Sequence, residues 1–178
     1  DEQPILTPNQ LKLIGQFAQY YFVTRGSVAR LITPDKPKRD IKLKTHPLTS
    51  SDPHNTFILS KSQLPKLQQT VSQLAGNQNH IQINDISSFV WLILHLTKKS
   101  NSQILVLFPT IDLIKSVETV VHKMCSGNYA VIHSELSKGN YWKQYQKILL
   151  DQAKIILSTR QGAFLPIQSN AQIIFFFF

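Results

Sequence analysis

The chain has 178 residues, 42% of them hydrophobic, enough for one ordinary domain and a small appendage. Its 19 lysines and arginines stand against 10 acidic residues, and the net charge of +9 favours a polyanionic partner, nucleic acid first, although a basic solvated surface gives the same sum. A single cysteine, Cys125, excludes a disulfide framework and a cysteine-built zinc site within the chain, and suits a free thiol in a reducing cytosol. No run reaches the roughly 18 to 20 apolar residues of a membrane span. The nearest candidate, Phe89 to Leu96, is short, broken by His95 and followed by Lys98-Lys99. No signal peptide is visible, and an opening at Asp1 rather than Met reads as the boundary of a larger protein.

Taken from the start, Leu11, Ile14, Phe17, Ala18 and Tyr21 mark a helical face over positions 8–23. Tyr20 and Tyr21 suit either base stacking or half-buried packing. Arg25, Arg30, Lys36, Lys38, Arg39, Lys42 and Lys44 follow, opposed within the stretch by Asp35 and Asp40. Mobile cations of this kind suit contact with phosphates, and equally a solvated linker. Pro34, Pro37, Pro47 and Pro53 break the segment from 34 to 56 and close the first unit.

A second unit opens near Leu59. Leu64, Leu67, Val71 and Leu74 predict a helix capped by Ser60 or Ser62, with Pro65 in its first turn and Gly76-Asn77 at its end. A short strand from His80 to Ile83 and a helix from Ile86 to Lys99, capped by Asn84 or Asp85, come next. The remainder alternates: strand 104–108, helix 111–123, strand 129–133, helix 138–150, strand 154–157 and strand 172–178. Short, continuous apolar strands separated by helices predict an α/β fold with a parallel sheet covered on both faces. The closing run of four phenylalanines reads as a fully buried central strand.

The ends of parallel strands are where such folds keep their chemistry. A nucleotide-binding version needs a glycine-rich turn and a lysine between its first strand and helix. The place expected for it, Asn84, Asp85, Ile86, Ser87 and Ser88, holds neither, and Asp85 would repel phosphate. The strand at 172 ends in phenylalanines rather than in carboxylates for Mg²⁺. The six histidines lack metal-ligand spacing, and no serine sits in a nucleophile elbow. His133, Ser134 and Glu135 therefore suit backbone contact better than hydrolysis, and Arg160 suits either a phosphate contact or a structural ion pair.

Several segments together resemble the PriA family of bacterial replication-restart helicases. The run from Ile104 to Leu113 (ILVLFPTIDL) resembles the family's LVPEIxL segment. Ile132 to Ser137 (IHSELS), followed by Tyr141-Trp142, resembles LHSxLSxxER…W. Ala153 to Pro166 (AKIILSTRQGAFLP) resembles AxIVIGTRSALFAPF. Upstream, Phe17 to Tyr21 with Gly26 and Ala29 is similar to AxYYxxPxGxVL, and Leu59 to Gln63 is similar to LTxEQ. The resemblance implies three parts: the end of a DNA-binding domain over 1–33, a basic proline-rich linker over 34–56, and an incomplete first RecA-like (P-loop NTPase-type) three-layer lobe over 57–178. It implies DNA as partner, as forks and single strands, together with primosome proteins and a cytoplasmic location without a membrane. Pro109, His133, Ser134, Thr159 and Arg160 match the DNA-facing motor motifs, and Arg25, Arg30, Lys38 and Arg39 supply the basic stretch.

The family uses ATP and Mg²⁺, but its GxTGSGKTE loop corresponds to 84–90 here, and its acidic DEEH falls on Phe176 to Phe178 or just past them. The family's zinc module, winged-helix domain and second motor lobe have no counterpart. The expectation is thus a truncated, degenerate relative that binds DNA without hydrolysing ATP. The other expectation is a non-catalytic α/β protein-interaction module of helicase ancestry.

Overall fold

Four short apolar runs pair into one sheet, and their residues alternate between two cores. The computed structural model describes residues 4–35, 68–69, 79, 81–83, 85–100, 102–125 and 127–176. Strands β1 (Ile104–Leu107), β2 (Tyr129–Ile132), β3 (Ile155–Ser158) and β4 (Gln172–Phe175) form an all-parallel sheet in the order β2-β3-β1-β4. Ile104, Val106, Val131, Ile155 and Leu157 face one core, shared with Phe89, Val90 and Ile93 of helix α3 (Ile86–Ser100) and Ile114, Val117 and Val121 of α4 (Ile111–Cys125). Leu105, Ala130, Ile132 and Ile156 face the other, against Trp142, Tyr145 and Ile148 of α5 (Lys138–Leu149). Strands covered on both faces carry no polar alternation, so their sequence reads as unbroken Ile, Val and Leu. The result is the three-layer α/β architecture expected, consistent with a RecA-like fold.

The topology follows from handedness. The chain passes from β1 over β3 to β2, then reverses to reach β3. Right-handed crossovers in opposite directions must use opposite faces of the sheet, so α4 and α5 lie on opposite sides. The step from β3 to β4 continues in the second direction and stays on the α5 side, where Leu165 and Ile167 join that core.

Gln103 fixes the N-terminal edge of the sheet. It is fully buried, and its Nε2 donates to the Ala153 carbonyl at 3.1 Å while its Oε1 accepts from the Gln168 N–H at 2.9 Å. Its own carbonyl accepts from the Gln172 N–H at 2.9 Å, which sets β4 beside β1.

Two expectations for this unit need correction. β4 is not a central, fully buried strand: it lies outside β1 at the edge of the described sheet, with Ile173 49% and Phe175 58% exposed. Ile174 and Phe176 pack on the α3–α4 core, while the opposite face of β4 falls outside the α5 core. Nor do Ile81 to Ile83 form a strand; they are irregular, with Ile83 packed against the α3–α4 core, and His80 lies outside the described residues. Of the helix expected after Ser62, Gln68 and Gln69 are described and helical, and the rest lies outside the described residues.

The N-terminal unit is a helix pair, α1 (Pro8–Tyr20) and α2 (Arg25–Ile32). Thr7 and Gln10 form a reciprocal capping box with Pro8 in the first turn, which fixes where α1 begins. Thr24 caps α2 through the Ser27 N–H. Ile14, Ala18, Val28 and Ile32 form the seam between the helices. Arg25 and Arg30 thus sit on a helix and not in a linker, a second element signalled by Thr24 and by the four-residue step from Val28 to Ile32.

Candidate nucleic-acid interface

Because the strands are parallel, the loops leaving them emerge from one edge of the sheet. Pro109 follows β1, His133-Ser134 follows β2 and Thr159-Arg160 follows β3. With strand order β2-β3-β1, the Thr159-Arg160 loop stands between the other two. Pro109, Ser134 and Arg160 are exposed, and Thr159 is half-buried. His133 is covered, only 7% exposed, and its Nδ1 is buried without a hydrogen-bond partner among the described residues.

The Arg160 loop is held close to the sheet. A 3₁₀ helix spans Arg160–Phe164, and Gly162 packs so tightly that a Cβ there would lie 2.7 Å from both Leu107 Cδ2 and Ser158 Cβ. Ser158 is itself fixed, buried with its hydroxyl donating to the Ile132 carbonyl at 2.7 Å. Glycine is required here for close approach rather than for a special backbone angle.

The helix pair docks beside this edge. Gln10 Nε2 donates to the Phe164 carbonyl at 2.8 Å and to the Tyr145 hydroxyl at 3.3 Å. The Tyr145 hydroxyl in turn donates to the Ile5 carbonyl at 2.8 Å. Burial pushes the Tyr145 phenol up from its ordinary value. Phe17 meets Phe164 edge-on at 5.4 Å.

Between the docked α2 and the sheet edge lies a cleft of about 450 Å³, lined among others by Arg30, Asp35, Ser134, Lys138, Tyr141 and Gln161. Lys138, in the first turn of α5, bridges it to Asp35 at 2.7 Å. That hydrogen bond holds the Asp35 carboxyl below, and the Lys138 ammonium above, their ordinary values. Lys115 pairs with Glu135 at 2.9 Å, lowering that carboxyl in the same way. Arg25, Arg30 and Arg160 form no ion pair among the described residues. The structural role weighed for Arg160, as an ion-pair partner, is therefore absent from the described contacts.

The structure brings Ser134 and Arg30 to one cleft and Arg160 to the same edge, beside Gln161 of that cleft. Arg25 stands at the other end of α2, and Lys38 and Arg39 lie outside the described residues. Sequence reasoning missed Gln10, Tyr145 and Phe164, which join segments far apart in the chain. Their one local signal is the Thr7-x-x-Gln10 capping pattern.

At the start of α3, Asp85 is the cap. Its carboxylate accepts from the Ser88 N–H at 2.8 Å and the Ser88 hydroxyl at 2.7 Å, occupying a helix N-terminus with negative charge. Ile86, Ser87 and Ser88 are helical, and Asn84 lies outside the described residues. Among the described residues no group of three or more His, Cys, Asp or Glu side chains could hold a metal ion. No described helix is long and apolar enough to cross a membrane.

No protein-family model matches the chain. Two curated proteins do, both the replication restart protein PriA of Helicobacter pylori. One, from strain J99, is 25% identical over 171 residues, and the other, from strain 26695, is 27% identical over 178 residues. Each alignment takes in 95% of this chain and 26% of the relative, so the chain spans about a quarter of the length of the proteins it matches. Along nearly its whole length, the chain is similar to the replication restart protein PriA.

Proposed function

We propose that this chain is a DNA-binding element related to the replication-restart proteins, contacting branched or 3′-ended DNA along the C-terminal edge of its parallel sheet. The observation that carries the reading is the placement of Arg30 with Ser134 in one cleft and of Arg160 at the same strand-end edge, neither arginine with a carboxylate partner among the described residues. Unpaired guanidinium groups and strand-end hydroxyls are the groups that hold phosphate oxygens. Similarity to PriA supports DNA replication and the primosome as the setting, with primosome proteins as further partners in the cytoplasm. His133 enters as a support of the Ser134 loop, since its ring is covered.

ATP and Mg²⁺ do not belong to this reading. A nucleotide's phosphates need free backbone N–H groups and positive charge at a helix start. At α3 that position carries the Asp85 carboxylate, already bonded to Ser88, and the segment has neither glycine nor lysine. The residues do not fit a triphosphate, and no hydrolytic step is assigned.

The test is binding of a labelled fork with a free 3′ end, by fluorescence anisotropy, across a salt titration. Binding that weakens steeply with salt supports the proposal. Absence of binding at low salt removes it and leaves the protein-interaction module, whose natural surface is the exposed flank of β4 at Ile173. Binding of a fluorescent ATP analogue would overturn the reading of 84–88.

A further inference from the structure

The turn between α1 and α2 places a large side chain where folding gains nothing from it. Tyr21 caps α1, Phe22 follows in the left-handed conformation at φ 54°, and the Val23 N–H bonds back to the Ala18 carbonyl at 3.0 Å. This is the helix-ending turn whose left-handed position glycine fills by default, because any Cβ there is strained by about 1–2 kcal/mol. Phe22 bears that strain and packs on almost nothing, being 97% exposed. Strain retained without a packing return points to function.

Phe22 is not alone. Tyr20 is 76% and Tyr21 60% exposed, against the half-buried packing weighed for the pair. The rings are anchored: Tyr20 meets Tyr21 at 4.9 Å, Tyr21 meets Phe17 at 5.7 Å, and Phe17 meets Phe164 of the strand-end turn. Arg25, without an ion-pair partner among the described residues, opens the next helix. From there α2, eight residues and so about 12 Å long, leads to Arg30 and the cleft. Arg25 and Arg30 stand about 7.5 Å apart along that helix, a span of about two stacked nucleotides.

We propose that Tyr20 and Phe22 form a stacking platform for unpaired nucleobases, with Arg25 on the adjoining phosphate. The platform rests on the DNA-binding reading above and extends it from the sheet edge to the tip of the helix pair. Aromatic rings interleaved with unpaired cations are the chemistry of single-strand binding. A net charge of +9 favours that occupant over an apolar protein partner.

The test compares an oligothymidine with an abasic oligomer of equal length, which keeps the phosphates and removes the bases. Wild-type protein is expected to bind the oligothymidine about a hundredfold more tightly, about tenfold from each ring. Phe22→Gly should remove most of that preference while raising the Tm by about 2–4 °C, because it relieves the turn. Tyr20→Ala should weaken oligothymidine binding by about tenfold and leave abasic binding unchanged. If wild type binds both oligomers equally, or if Phe22→Gly and Tyr20→Ala bind oligothymidine as wild type does, the platform is overturned while the sheet-edge reading stands. If wild type binds neither oligomer nor the fork, both readings fall. Loss of a dimer in Phe22→Gly by sedimentation, with base preference intact, would assign the tip to self-association and also overturn the platform.

Discussion

Gln10 and Phe164 lie 154 positions apart, and the Gln10 side chain donates to the Phe164 carbonyl at 2.8 Å. One residue of the α1 capping box therefore also fastens the helix pair to the turn that carries Arg160. Gln10→Ala removes that bond, the bond to Tyr145 and half of the capping box. At about 1 kcal/mol for each net hydrogen bond, the expected loss over the three is about 3 kcal/mol, or a Tm drop of about 6–12 °C. Thermal unfolding measures it, and limited proteolysis should show earlier cleavage before residue 36.

Gly162→Ala tests the close approach of the 3₁₀ helix. The new methyl meets Leu107 Cδ2, which can turn aside, and Ser158 Cβ, which cannot because that strand is buried. Overpacking of this kind costs about 1–3 kcal/mol. The displaced turn should also weaken fork binding, whereas Ala163→Ser, at the exposed neighbouring position, should change neither stability nor affinity.

Asp85→Ala removes both acceptors of the α3 cap. The expected cost is about 1 kcal/mol, a Tm drop of about 2–4 °C, and Asp85→Asn should restore most of it. Neither variant should gain binding of a fluorescent ATP analogue, since glycine and lysine remain absent from 84–88.

Arg30→Ala and Arg160→Ala should each weaken fork binding, and each should reduce the slope of log affinity against log salt by about 1. Lys115→Ala, whose partner Glu135 neutralises it locally, should leave that slope nearly unchanged.

Burial raises the phenol pKa of both Tyr141 and Tyr145 above the ordinary 10.0. The folded state then keeps protons that the unfolded chain releases, so stability falls as pH climbs past about 10. Lys147 acts oppositely. Burial lowers its pKa below 10.5, so it favours folding as pH rises towards that value. Denaturant melts across pH 8 to 11 should therefore show a flatter alkaline decline for Tyr141→Phe than for wild type. An unchanged slope would remove this account.

The sheet was legible because buried parallel strands admit only apolar residues, and β1, β2 and β3 each lie within about a residue of the expected bounds. The helix that Asp85 opens was legible because capping is local, as was the absence of glycine at 84–88. The position of β4 was not legible. Ile and Phe enter central and edge strands alike, and only the pairing with β1 put this one at the edge. Nor did the sequence separate buried His133 from exposed Ser134, or exposed Tyr20 from covered Tyr145, because exposure depends on which distant segment arrives. The sequence by itself determined the layers, which residues end the strands and the basic charge, all properties of neighbouring residues. Only the tertiary structure decided that Gln10 meets Phe164, that Arg30 shares a cleft with Ser134, and that Phe22 stands in solvent, because those relationships arise when segments far apart in the chain pack together.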